Sequence, residues 1–102
     1  MSPDELNRFE AAAAQASRML KALAHDARLL VLCQLAGGEL QAGQLASHLS
    51  QSALSQHLAR LRADGLVTTR REGQAIFYAI ADPAVKRIIE TLAAIYCPPE
   101  GH

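Results

Sequence analysis

Few side chains in this sequence can do covalent or ligand chemistry. There are two cysteines, Cys33 and Cys97, far apart along the chain and without a Cys-x-x-Cys motif. A thiol in the middle of an apolar helix, as at Cys33, reads on its own as a small packed hydrophobe. Cys97 lies just before Pro98-Pro99, where a thiolate would have access to solution. The histidines, at positions 25, 48, 57 and 102, include no i, i+4 pair. Zinc sites want nitrogen or sulfur donors. The stretch Leu40–Leu45 has no thiol, and the last helix has Asp82 and Glu90 but no histidine. No metal and no other cofactor is expected. No Ser/His/Asp grouping or phosphate-binding glycine loop is present, so no enzyme is expected.

A second kind of chemistry is legible between Ser50 and Gln56. Placed at 100° per residue, Leu54, Leu58 and Leu61 form one stripe that docks a helix on a core. The opposite face carries Ser52, Ser55, Gln56 and Ala59, with Arg60 on the flank and no acid before Asp64. A plain solvated face usually mixes Glu and Lys. Small hydroxyl and amide side chains instead suit close approach to base edges, and Gln can pair bidentately with adenine. The helix N-terminus at Ser50 favours phosphate. Arg60, Arg62, Arg70 and Arg71 against Asp64 and Glu72 leave a local basic excess in a chain with ten basic and ten acidic residues. Nucleic-acid binding therefore has to come from a local patch. A polar surface helix and a solvated hairpin tip are the plainer alternatives for these residues.

The elements that would position these groups follow from periodicity and caps. Ser2-Pro3-Asp4-Glu5 fits a capping box with proline in the first turn. Leu6, Phe9, Ala13, Ala16, Leu20 and Leu23 then step by three and four, the seam of a helix packed lengthwise on another. A second helix, Asp26 to Ala36, is apolar on nearly every face and stops at Gly37-Gly38. The spacing predicts a short third helix from Ala42 to about Leu49. Ser50 caps a fourth helix, 51–63, ended by Gly65. Val67 to Ile80 alternates as a β-hairpin turning at Arg71-Glu72-Gly73-Gln74, with Gln74 at its tip. Asp82-Pro83 starts a fifth helix with the stripe Val85, Ile88, Ile89, Leu92 and Tyr96. The expected fold is mainly α with a β-hairpin wing, in the order α-α-α-α-β-β-α: a winged helix-turn-helix.

With 102 residues, half of them apolar, residues 1–102 are expected to form one domain for DNA binding and dimerisation. No apolar stretch approaches the roughly 18 residues of a membrane span. The acidic start lacks the basic-then-apolar order of a signal peptide, so a cytoplasmic location is expected.

Ser50-Gln51-Ser52-Ala53-Leu54-Ser55-Gln56-His57-Leu58, with Arg60-Leu61-Arg62, Gly65-Leu66-Val67 and Arg70-Arg71, resembles the recognition-helix-and-wing signature of the ArsR/SmtB repressors. The likeness continues upstream in Leu20-Lys21-Ala22-Leu23-Ala24-His25 and Arg28-Leu29, and spans about 20–97. It implies a homodimer, built from the first and last helices, that represses double-stranded operator DNA until an inducer lowers its affinity. It places Gln51, Ser52, Ser55 and Gln56 in the major groove and gives the wing to Arg70, Arg71 and Gln74. One departure stands out. Family members commonly have two more residues before the serine matching Ser50, so the turn after Ser47-His48-Leu49 is shortened here.

The two cysteines resemble the dithiol, persulfide-sensing branch of that family. The likeness implies that Cys33 and Cys97 respond to sulfane sulfur or oxidants by joining through a disulfide or polysulfide bridge. Two other readings remain open: a sensor of a metal(loid) such as arsenite or zinc, and a winged-helix module that binds protein.

Overall fold

The computed structural model describes residues 1–97. Helix α1 runs from Pro3 to Leu23, α2 from Asp26 to Leu35, α3 from Gln51 to Ala63 and α4 from Pro83 to Tyr96. Strands β1 (Leu40–Gln41), β2 (Val67–Glu72) and β3 (Ala75–Ile80) form one antiparallel sheet in the order β1-β3-β2. The expected winged helix-turn-helix stands, with four helices and a three-stranded sheet.

The caps expected from sequence at Ser2, Ser50 and Asp82 are made. The Glu5 backbone N–H donates to Ser2 Oγ at 3.2 Å, and the Ser2 N–H reaches back to Glu5 Oε1 at 3.4 Å. His25 caps α2, its Nδ1 accepting from the Ala27 N–H at 3.1 Å. Ser50 caps α3, accepting from Ala53 at 3.1 Å, and Asp82 caps α4, accepting from Ala84 at 2.8 Å. At the far end of α3, Gly65 takes φ +76°. The Gly65 N–H bonds the Arg62 carbonyl and the Leu66 N–H bonds the Leu61 carbonyl, a Schellman stop that turns the chain directly into β2.

Two local expectations need correction. The helix predicted over 42–49 is a single 3-10 turn, Ala42–Gln44, after which Leu45 is extended. Helical bonds have no partners to use there. The Ala46 N–H and carbonyl both go to the Gln34 side chain, and the Leu49 N–H goes to Ser47 Oγ. In place of the helix, the sheet gains β1, with Leu40 opposite Tyr78 and Gln41 opposite Phe77. The hairpin turn also sits one residue later than expected. Glu72 pairs with Ala75, so the loop is Gly73-Gln74, with Gly73 at φ +62°. That left-handed position is one glycine occupies without strain.

One core joins the elements. Leu32 of α2, Leu58 and Leu61 of α3, and Val85 and Ile89 of α4 are sealed within it. Helix α1 enters this core only at its end. Leu23 is 2% exposed, whereas Phe9 is 60% and Leu20 56% exposed. Pro98-Pro99 and His102 lie outside the described residues. Among the described residues no helix is long and apolar enough to cross a membrane.

Candidate functional site

The DNA-reading candidate is built on α3. Leu54, Leu58 and Leu61 anchor its inner edge in the core, as the sequence stripe predicts. That leaves Gln51, Ser52, Ser55 and Gln56 exposed on the outer face of its first turns. Ser50 Oγ is engaged in capping, and its hydroxyl can still donate. Arg60 is turned along the helix to Asp64 at 3.2 Å, an exposed i, i+4 pair.

The two wing arginines differ. Arg70 is already held: its Nε lies 2.9 Å from both Glu39 carboxylate oxygens, and its Nη1 lies 2.7 Å from Glu72. Its guanidinium also sits 4.4 Å from the centroid of the Phe77 ring. These hydrogen bonds hold the Glu39 carboxyl below its ordinary range and push Arg70 further up. Arg71 and Gln74 are exposed, and among the described residues Arg71 has no acidic partner. Sequence reasoning missed Glu39, because no local pattern announces a partner thirty-one positions away.

Behind α3, its one histidine meets α2. The His57 and His25 rings are 4.4 Å apart and tilted. Burial, then His25, then Arg28, lower the His57 pKa. Arg28 itself donates to the Ala22 carbonyl at 2.7 Å, closing the last turn of α1.

The thiols come together. Cys33 on α2 and Cys97 at the end of α4 line one cleft of about 240 Å³, walled by Leu29, Ile89, Leu92, Ala93 and Tyr96. Both are free thiols, Cys33 half-buried and Cys97 exposed. Burial, and secondly the neighbouring Cys97, push the Cys33 thiol up. Beside Cys33, Gln34 makes a two-point contact that was not expected. Its Nε2 donates to the Ala46 carbonyl at 3.0 Å and its Oε1 accepts from the Ala46 N–H at 2.8 Å. A lone amide in the otherwise apolar run 29–35 was the only available hint.

The chain is similar to known proteins in sequence and in fold. Residues 25–69 match the model of the bacterial regulatory protein, arsR family. The transcriptional activator HlyU of Vibrio cholerae is 50% identical over 98 residues, 94% of this chain and 91% of that protein. The biofilm growth-associated repressor of Agrobacterium fabrum is 47% identical over 94 residues, 90% of this chain and 80% of its own length. The solved structure of reduced HlyU from Vibrio cholerae superposes with a TM-score of 0.83 at 50% identity, covering 89% of this chain and 98% of that one. A family match running from the α2 cap into the wing, extended at half identity along nearly the whole chain, places this protein in the arsR family of bacterial regulatory proteins: it is a DNA-binding transcriptional regulator, not an enzyme.

Proposed function

We propose that the chain is a homodimeric repressor in the cytoplasm whose hold on double-stranded operator DNA is released when Cys33 and Cys97 are joined by sulfane sulfur. The observation that carries this reading is the shared cleft: two free thiols from α2 and α4 line one apolar space of about 240 Å³. The face of Gln51, Ser52, Ser55 and Gln56 reads bases, and Arg71 and Gln74 extend the contact through the wing. The exposed seam of α1 and the outward Ile95 and Tyr96 at the end of α4 meet a second copy. Residues 1–102 act as one unit in this reading.

The chemistry balances. The Cys97 thiolate attacks an S–S bond of a hydrogen polysulfide, and a shorter polysulfide or hydrosulfide leaves. If Cys97 then carries a single extra sulfur, the Cys33 thiolate attacks Cys97 Sγ, expels hydrosulfide and leaves a disulfide. If it carries two, attack on the middle sulfur expels hydrosulfide and leaves a trisulfide. Either way the dithiol loses two electrons to the sulfane sulfur. Cys97 acts first because it is exposed, while burial holds the proton on Cys33. A bridge ties α2 to α4 and changes where α2 sits relative to α3, which supplies the differential contact that regulation requires.

Intact-mass measurement and operator gel shift on the same samples test this. Polysulfide should consume both thiols within one chain and release the DNA, and Cys33→Ser and Cys97→Ser should each bind DNA and fail to release. Only chain-to-chain Cys97 disulfides, with Cys33 still alkylatable, would overturn the reading.

A further inference from the structure

We infer that Gln34 is the positioning residue that carries a change at Cys33 to the recognition helix, an inference that rests on the thiol reading above. The geometry supports it at three points. Gln34 is the next residue to Cys33 on α2, so the two Cα atoms move together when a bridge draws Cys33 toward Cys97. The Gln34 amide takes both polar groups of the Ala46 backbone, at 3.0 and 2.8 Å, as a neighbouring strand would. Ala46 lies in the connection that enters the Ser50 cap, after the 3-10 turn and before α3.

The clasp is also fixed on its own side. Gln34 Nε2 lies 3.2 Å from the Leu30 carbonyl one turn back, which limits the rotamers the amide can use. A side chain tied at both ends cannot absorb a shift of its helix by swinging. Hydrogen bonds weaken steeply with distance and angle, so a small displacement of α2 opens the pair. Ala46 is exposed, so water replaces the lost partners and the connection is freed. Because that connection makes one 3-10 turn in place of a helix, it has few bonds of its own to hold α3 in register once the clasp opens.

The test uses the full chain, with Gln34→Met, which keeps helix propensity and length and removes both bonds. Operator affinity by anisotropy and intact mass are measured before and after polysulfide, and exchange of the Ala46 amide is followed by NMR. Bridging should lower the affinity of the wild type about tenfold or more, whereas bridged Gln34→Met should differ from its reduced form by less than about threefold. The Ala46 amide should be protected in the reduced wild type and exchange freely in the bridged form. An equal ratio in both proteins, with the bridge formed in each, overturns the role of Gln34 and leaves the thiol switch standing. An Ala46 amide still protected in the bridged wild type overturns it without any variant. Absence of a bridge in the wild type defeats the thiol reading, and the transmission with it.

Discussion

The Arg70 guanidinium is committed to Glu39, Glu72 and the Phe77 ring, while Arg71 beside it faces solvent. Arg71→Ala should therefore weaken binding to all DNA sequences and reduce the salt slope by about one unit. Arg70→Ala should instead lower the melting temperature, because it unties β2 from Glu39, a difference that thermal melts beside salt-dependent anisotropy will show. On α3, Gln56→Ala should cost roughly 1–3 kcal/mol toward the specific operator alone if Gln56 pairs with a base. The thiols give a second contrast. The fold favours the protonated Cys33, so this group adds stability below its unfolded pKa and loses that contribution as pH rises through the folded one. Time-resolved alkylation should label Cys97 first, with the Cys33 rate still climbing above the ordinary thiol value of about 8.5. The candidate thiols were readable as residues, but their shared cleft was not. Position 33 looks like any packed thiol until α4 is laid across α2.

The recognition helix was legible almost whole. Its Ser50 cap, its Leu54/Leu58/Leu61 stripe and its Gly65 stop are local signals that agree with one another, and the structure keeps all of them. The segment before it was not. Ala42, Leu45 and Leu49 repeat at helical spacing, yet the backbone between them bonds to Gln34 and Ser47 side chains, so a tertiary contact overrides the period. Strand β1 has two residues, too few to show alternation. Between elements, α3 presses His57 against His25, and burial first, then the neighbouring His25 and Arg28, disfavour the proton. The unfolded chain then binds more protons just below the usual histidine value of about 6.5, so stability should fall as pH drops through and below it. Chemical denaturation between pH 7 and 5 should show that slope, and His57→Gln should flatten it.

Across the whole molecule, the long dimension of 53 Å owes much to α1, whose 21 residues span about 31 Å of helix. The three-four seam read from the sequence is uncovered within the chain: Leu6, Phe9 and Leu20 all face outward. Such a helix gains little from its own protomer and is marginal alone in water. If a second copy covers it, the melting temperature should rise with protein concentration and light scattering should give twice 10.9 kDa. A concentration-independent melt of an 11 kDa species would count against the dimer. Leu6→Lys combined with Phe9→Lys should lower helix content while leaving the Leu32/Leu58/Ile89 core folded, as circular dichroism and near-ultraviolet spectra can show together.

The exposed length of α1 also bears on gene dosage. The core around Leu32 and Ile89 forms within one chain, whereas α1, if a second copy completes it, matures by encounter. Well below the dissociation constant, the finished regulator then scales with the square of chain abundance. Halving the concentration of chains would leave about a quarter of the assembled form, and the unpaired α1 of each leftover chain would lie open to proteases. Synthesis rate would thus set the operator's occupancy more steeply than the affinity of α3 for DNA implies.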